Sequence, residues 1–476
     1  MYISSRNPEF ARNIWLELTP GRLIVMPVIL ALTFAAVSTF DGVRSFSILA
    51  FMILANIYAT KLATESIVSE LNTKTWDNLR LTLIHPLSMA TGKLFGSTIY
   101  AWYGAIISIL IFFVYSFLND DLLVSFRFGI WAILFSLFTQ VFAMIYSLMG
   151  IRKHRDKSKI SWFFYFLISV GISYYLQGFM YFSFFSSQFE LLRNELSTIY
   201  WYFIPVNIFD FMIISTIVFI LWAIYGLKNL IRLEFNYRNK STAWIAFLLF
   251  LTLYFFGLGI SVMNLNYLLQ NFLGGFQLNN INGVWSALFI PLMFIVLLNY
   301  FLIFNENHNI IDYKKLLFLL KEKNFKELTY ITPLWITTFL FLIILGLVFQ
   351  IIAIINFISF KPIDTNIDNL RFGLFIPLNI LLFTMRDFAI VAYFNIGKKF
   401  RRPDVAALVS IYILYFVLNP VINAVFGEID INLLSPFYSG NSFIITLSIT
   451  IQAGLMIVLT VKTYKKKVGN FSIGQI

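Results

Sequence analysis

Glu65-Ser66-Ile67-Val68-Ser69-Glu70-Leu71-Asn72-Thr73-Lys74-Thr75-Trp76-Asp77-Asn78-Leu79, followed by His85-Pro86-Leu87-Ser88 and Gly92-Lys93, is a dense polar block between two apolar runs, 43–64 and 93–118. A spanning helix needs about 20 apolar residues, because ~1.5 Å of rise per residue must cross ~30 Å of hydrocarbon. Both flanking runs meet that length. The block is therefore a compact, charged, helix-forming insert at a membrane surface.

Runs of the same kind recur along the whole chain. In the first half they lie near 23–40, 43–64, 93–118, 126–150, 160–186 and 205–227. The second half adds 242–263, 283–305, 334–357, 371–395, 404–425 and 441–462. Composition agrees. Of 476 residues, 59% are hydrophobic and 12% charged, against about 25% charged in soluble domains. The fold class expected is an all-α polytopic membrane protein of about 12 transmembrane helices. Fifty-five Phe and ten Trp suit lipid-facing surfaces and interfacial belts. Cysteine is absent, which excludes disulfides, thiolate metal sites and a cysteine nucleophile. Arg6, Glu9, Arg12 and Glu17 interrupt the start, so no cleavable signal peptide is expected there.

The net charge of +12 would suit nucleic acid, but its distribution says otherwise. With the N-terminus inside, only Arg44, Arg127, Arg193, Lys361 and Arg371 fall outside, and Arg386 falls within a span. Every other lysine and arginine sits in a short loop or tail on the inner side, including 152–159, 314–326 and 398–402. That is the positive-inside pattern, with both termini cytoplasmic. Such residues meet anionic headgroups rather than nucleic acid.

The layout is used twice: amphipathic elbow, two spans, cytoplasmic block, four spans. The first elbow is Asn7 to Leu18, with Asn7 as cap, Pro8 at the first helical position, and Phe10, Ile14 and Leu18 on one face. A comparable stretch, 228–238, precedes the seventh span, and residues 305–333 stand where the first half has 65–93. The expected halves are 1–227 and 228–476.

Within the first block, Thr75 can cap a helix beginning at Trp76, Asp77 suits the positive end of the helix dipole, and Ser88 can cap the helix that follows. Glu70, Thr75-Trp76-Asp77-Asn78-Leu79, Pro86-Leu87-Ser88 and Gly92-Lys93 together resemble the segment after the second span of ABC-2 type transporter permeases. Pro20-Gly21-Arg22 before the first span is similar to that family too. The resemblance covers residues 7–118 best, and the order of spans extends it to about 227. It departs at Lys74, where a glycine is common, and at His85.

The resemblance implies a bacterial plasma-membrane permease subunit, an exporter, energised by separate ATPase subunits, two copies per chain. Glu70, Thr75, Trp76, Asp77 and Leu79 would belong to that docking contact, and a homodimer of the chain stays open. The chain has no nucleotide loop of its own: Thr91-Gly92-Lys93-Leu94 lacks the first glycine and the final hydroxyl. ATP and Mg would therefore be bound by the partner, with no cofactor in this chain.

Arg386-Asp387 lies well inside the tenth span, where a charge costs ~2.5–3.5 kcal/mol on insertion scales. Neighbours on a helix point about 100° apart, so each is expected to pair with a different helix. Two roles stay open, a translocation-path or gating element and a packing salt bridge. Asn419-Pro420 would kink the eleventh span, and Asn207 and Asp210 mark the outer end of the sixth. His85, His154 and His308 are too scattered for a metal site. A secondary transporter remains as the alternative, with an enzyme acting on lipid-linked substrates after it.

Overall fold

The computed structural model describes residues 7–38, 42–73, 75, 81, 84–118, 122–153, 163, 165–171, 198–202, 204–235, 237–261, 283–359, 367–397, 400, 402–418, 421 and 442–469. The chain is an all-α, multi-pass membrane protein whose described strands form a single two-stranded sheet, β1 (Thr198–Trp201) and β2 (Ile204–Asn207). Among the described residues, nine helices are long and apolar enough to cross a membrane. Two of the remaining expected spans appear as the shorter apolar helices Thr242–Leu258 and Pro403–Leu418. Of the span expected at 160–186, only 163 and 165–171 are described. The chain divides into two compact units, Met1–Ile199 with Pro205–Asn239, and Tyr200–Ile204 with Lys240–Ile476.

The first unit opens with α1 (Pro8–Glu17), whose Asn7 side chain accepts a hydrogen bond from the Phe10 N–H at 3.2 Å. Pro8 costs nothing at the first helical position, where the N–H it lacks has no intrahelical partner. Helix α2 (Pro20–Ser38) follows after two residues. Next, α3 (Val43–Phe51), a π-helical segment Met52–Tyr58 and α4 (Ala59–Asn72) run on without a break. The second span therefore projects past its apolar run and carries Glu65 and Glu70 on helix rather than loop. Beyond the polar block come α5 (Pro86–Ser97), α6 (Ile99–Leu118), α7 (Leu122–Lys153) and α8 (Ile208–Glu234).

The stretch 228–238 is not a separate elbow, contrary to the expectation. Residues up to Glu234 are the last turns of α8, because Leu230 and Ile231 extend its buried face and Glu234 pairs with Arg152 on α7 at 3.3 Å. At the other end of these helices, Asn207 caps α8 through the Phe209 N–H at 3.0 Å, and Asp210 pairs with Arg127 of α7 at 3.3 Å.

The core of this unit joins α3, the π segment, α6, α7 and α8 through Ile48, Phe51, Ala55, Phe112, Phe128, Trp131 and Phe209. A π segment widens the helix and displaces its backbone hydrogen bonds. Here the buried Gln140 amide of α7 donates to the Ala55 carbonyl at 2.8 Å, and its oxygen accepts from the Trp102 indole at 3.1 Å.

The second unit comprises α9 (Thr242–Ser261), α10 (Gly283–Asn305), α11 (Ile310–Lys321), α12 (Phe325–Ile331), α13 (Leu334–Ser359), α14 (Ile367–Gly397), α15 (Pro403–Tyr412), a π-helical segment Ile413–Leu418 and α16 (Ser442–Gly469). Leu288, Leu292, Ile295, Leu342, Phe349, Ile376 and Ile380 form the core between α10, α13 and α14. Helix α14 lies along α16, joined by Thr446 to Asn379 at 2.7 Å and Thr460 to the Ala389 carbonyl at 3.0 Å.

Gln140→Leu strands the Ala55 carbonyl and the Trp102 N–H together. A buried group left without its partner costs about 1–3 kcal/mol, so this variant is expected to lower the thermal midpoint of the detergent-purified protein.

Candidate functional site

The polar block starts where α4 stops. The Thr73 hydroxyl donates to the Ser69 carbonyl at 2.9 Å, and the Thr75 hydroxyl donates to the Glu70 carbonyl at 3.1 Å. Thr75 thus closes the end of α4. The helix expected from Trp76, and with it Trp76, Asp77 and Leu79, lies outside the described residues. The helix after the block begins three residues earlier than expected. His85 Nδ1, not Ser88, takes the capping role by accepting from the Leu87 N–H at 3.3 Å, with Pro86 at the first position. Ser88 sits inside α5, and its carbonyl accepts from the Asn7 side chain at 2.9 Å.

Glu70, expected as a contact for a partner, is engaged within the chain. Its carboxylate pairs with Lys93 of α5 and, at 2.5 Å, with Arg12 of α1. Arg12 also reaches Glu9 at 2.8 Å, and Lys93 reaches Glu9 at 3.2 Å. Two acids and two bases from three helices thus make a neutral ring. Lys93 and Glu9 are 1% and 2% exposed, so neither charge can be met by bulk water. Burying an ion costs several kcal/mol unless a partner compensates it, and each of these has two.

Close packing makes the ring possible. A Cβ on Gly92 would stand 2.9 Å from Asn7 Oδ1 and from Glu9 Cβ, and one on Gly96 would stand 2.7 Å from Asn13 Cβ. The spacing Gly92-x-x-x-Gly96 lets α1 lie directly on α5, as small residues do between membrane helices. The Asn13 amide uses that proximity, donating to the Glu9 carbonyl at 3.0 Å and the Gly92 carbonyl at 3.5 Å. The pair Glu70–Lys93 therefore closes the base of the excursion 73–85, and α1 is clamped across it.

In the second unit Arg386 and Asp387 come together, against the expectation that they pair separately. Asp387 Oδ1 accepts from Arg386 Nε at 2.9 Å, because the long guanidinium arm folds back over the 100° that separates the two positions. Each also reaches other helices. Arg386 donates to Gln452 Oε1 of α16 at 2.8 Å, and Asp387 Oδ2 accepts from Tyr300 of α10 at 2.5 Å and from Tyr415 of the second π segment at 2.9 Å. The guanidinium lies 4.9 Å from the ring centres of Phe383 and Tyr415. Tyr300, Tyr415 and Gln452 were not singled out from the sequence. Their only signal is polar atoms inside apolar runs, which many satisfied side chains share.

The second block, 305–333, is built differently from the first. Both carboxylate oxygens of Glu306 accept from the first N–H groups of α13, Leu334 at 3.1 Å and Trp335 at 3.3 Å. His308 is buried, with Nε2 2.7 Å from the Ile303 carbonyl and Nδ1 2.5 Å from the Tyr313 hydroxyl. A carbonyl only accepts, so Nε2 carries the proton that faces Ile303, and the Tyr313 hydroxyl pairs with Nδ1. Burial pushes the Tyr313 hydroxyl well above the ordinary tyrosine range, keeping it a donor. No cluster of metal-ligating side chains occurs among the described residues. No protein family's pattern, no curated protein and no solved structure matches the chain.

Two pairs of substitutions follow from these clusters. Lys93→Met leaves the buried Glu9 and the part-buried Glu70 sharing Arg12, and removing one partner of a buried pair costs about 3–5 kcal/mol. It is expected to give poor yield and a thermal midpoint well below that of Arg12→Met, since Arg12 is nearly half exposed and surface pairs contribute ~1 kcal/mol or less. Asp387→Asn uncompensates the Arg386 guanidinium and is expected to cost more than Tyr300→Phe, which removes one of two hydroxyl donors; thermal unfolding of the three purified proteins checks the order.

Proposed function

We propose that this chain is the membrane-spanning permease subunit of an ATP-driven transporter of ABC-2 type. It spans the membrane about 12 times, both ends lie in the cytoplasm of a bacterial cell, and α1 rests in the interface as an elbow. A separate ATPase, in two copies, docks on the excursion between Glu70 and Lys93 and drives the substrate outward. Trp76, Asp77 and Leu79 make the contact. Glu70 and Thr75 hold its base, a shift from the direct contact that the family resemblance implies.

The observation that supports this reading is the closure of that excursion. A segment that receives force from a soluble motor must hand it to the spans without bending. The Glu9–Arg12–Glu70–Lys93 ring ties the excursion's two ends to each other and to α1. Exposed Trp15 and Leu16 on α1 suit a helix lying in the interface.

A secondary transporter is the second reading, favoured by the buried Arg386–Asp387 cluster with its four contributing segments. Ion-coupled transporters place such groups near the midplane beside interrupted helices, and Tyr415 comes from a π segment.

Purification from native membranes in mild detergent separates the two. The first reading expects a co-purifying ATPase, lost in Trp76→Ala/Asp77→Ala while the thermal midpoint is unchanged, and transport that stops on ATP depletion. An ATPase-free preparation whose reconstituted transport follows an ion gradient, and fails in Arg386→Gln/Asp387→Asn, overturns it in favour of the second.

A further inference from the structure

The outward face of α11 has no role in either reading. Leu319 is buried, and Leu316 and Tyr313 are half-buried on the inner side of this helix. At about 100° per residue, Ile311 and Phe318 fall together on the opposite side, and they are 79% and 57% exposed. Lys314 and Lys321 border that stripe on one flank and Lys315 on the other. Leu317 and Leu320 are also exposed, as is Phe325 at the start of α12. Across the 310–327 segment five lysines, Lys314, Lys315, Lys321, Lys323 and Lys326, outnumber Asp312, Glu322 and Glu327.

The position of this face identifies its partner. Glu306 and His308 fasten the start of the block to α13 and to the end of α10, and both are membrane-spanning in length and hydropathy. The far end is fastened too, since the Thr329 carbonyl accepts from the Ser241 N–H beside the start of α9 at 3.0 Å. The block is thus pinned on both sides at the level where spans begin and end, which is where hydrocarbon gives way to headgroups. A face of Ile, Leu and Phe edged by lysines matches that boundary. The apolar groups enter the acyl region while long lysine stems carry their charge up to the phosphates.

We propose that residues 310–326 form a docking face for the anionic headgroups of the membrane's inner leaflet, with Ile311, Phe318 and Phe325 inserted and Lys314, Lys315 and Lys321 on the phosphates. This assignment is independent of the ATPase reading and gives the second block a lipid partner where the first block has a protein partner. Polybasic apolar helices bind such surfaces through both terms at once, and the charge term is screened by salt.

The absence of cysteine makes the test direct. An environment-sensitive fluorophore is placed at Phe318→Cys or Phe325→Cys in the full chain, reconstituted in nanodiscs of phosphatidylcholine alone or mixed with phosphatidylglycerol. A label at Leu447→Cys, exposed on α16, serves as the lipid reference. The expected result is quenching of the Phe318 and Phe325 labels by brominated lipid, as for Leu447, in the anionic membranes. Lys314→Gln/Lys315→Gln/Lys321→Gln, or salt near ~1 M where the screening length falls to about 3 Å, is expected to shift both labels toward the aqueous quencher and leave Leu447 unchanged. Labels that stay aqueous in both membranes overturn the proposal. So do labels that leave water only when the co-purifying ATPase is added, which would make this a protein-docking face.

Discussion

The constraint on which the structure rests is that a charge removed from water must be answered inside the fold. Lys93 shows it most plainly. It stands at the mouth of an apolar helix, 1% exposed, and is held by Glu9 and Glu70 from two other helices. Coulomb attraction between such groups grows as the local dielectric falls, and so does the cost of losing one of them. That asymmetry turns a set of ion pairs into a geometric restraint. α1, α4 and α5 cannot separate without exposing an uncompensated charge to a medium that does not solvate it.

The same rule organises the second unit with different parts. Asp387 has more partners than a carboxylate needs for neutrality: a guanidinium on one oxygen and two tyrosine hydroxyls on the other. Tyr300, Gln452 and Tyr415 come from segments that would otherwise meet only through apolar contact. Between membrane helices there is little hydrophobic drive, because lipid is as apolar as leucine. Polar bonds of this kind therefore set register and choice of neighbour more than they add stability.

What could be read in the sequence divides along that line. Apolar length and charge placement gave the membrane class and the positions of most long helices, because the bilayer acts on each segment separately. The start of α1 was legible for the same reason, since Asn7-Pro8 is a local signal. Partnership was not. Glu9, Arg12 and Lys93 lie 3 to 84 positions apart, and nothing in their local context says that they meet. Arg386 and Asp387 were visible as an anomaly, but their neighbours Tyr300, Tyr415 and Gln452 were camouflaged by the apolar runs around them. The misplaced cap at Ser88 is a smaller case: His85-Pro86 is also a helix start, and the proline fixes it there because it prefers the first position. The supposed second elbow at 228–238 failed because its apolar residues continue the buried face of α8, a tertiary fact that amphipathic spacing cannot carry.

The two polar blocks show how one position in a layout can be served by different physics. In the first, a neutral ring of four ionic side chains closes the base of an excursion, and α1 lies on α5 through Gly92 and Gly96. In the second, a carboxylate caps a spanning helix, a buried histidine bridges a carbonyl and a tyrosine, and the block presents isoleucine and phenylalanine outward. The base of the first block is ionic and is held by three helices at once. The second turns apolar side chains outward and frames them with lysine, a pattern that suits a lipid boundary. The ring at Lys93 and the stripe at Phe318 follow from one requirement, that each surface match the solvent or partner it meets.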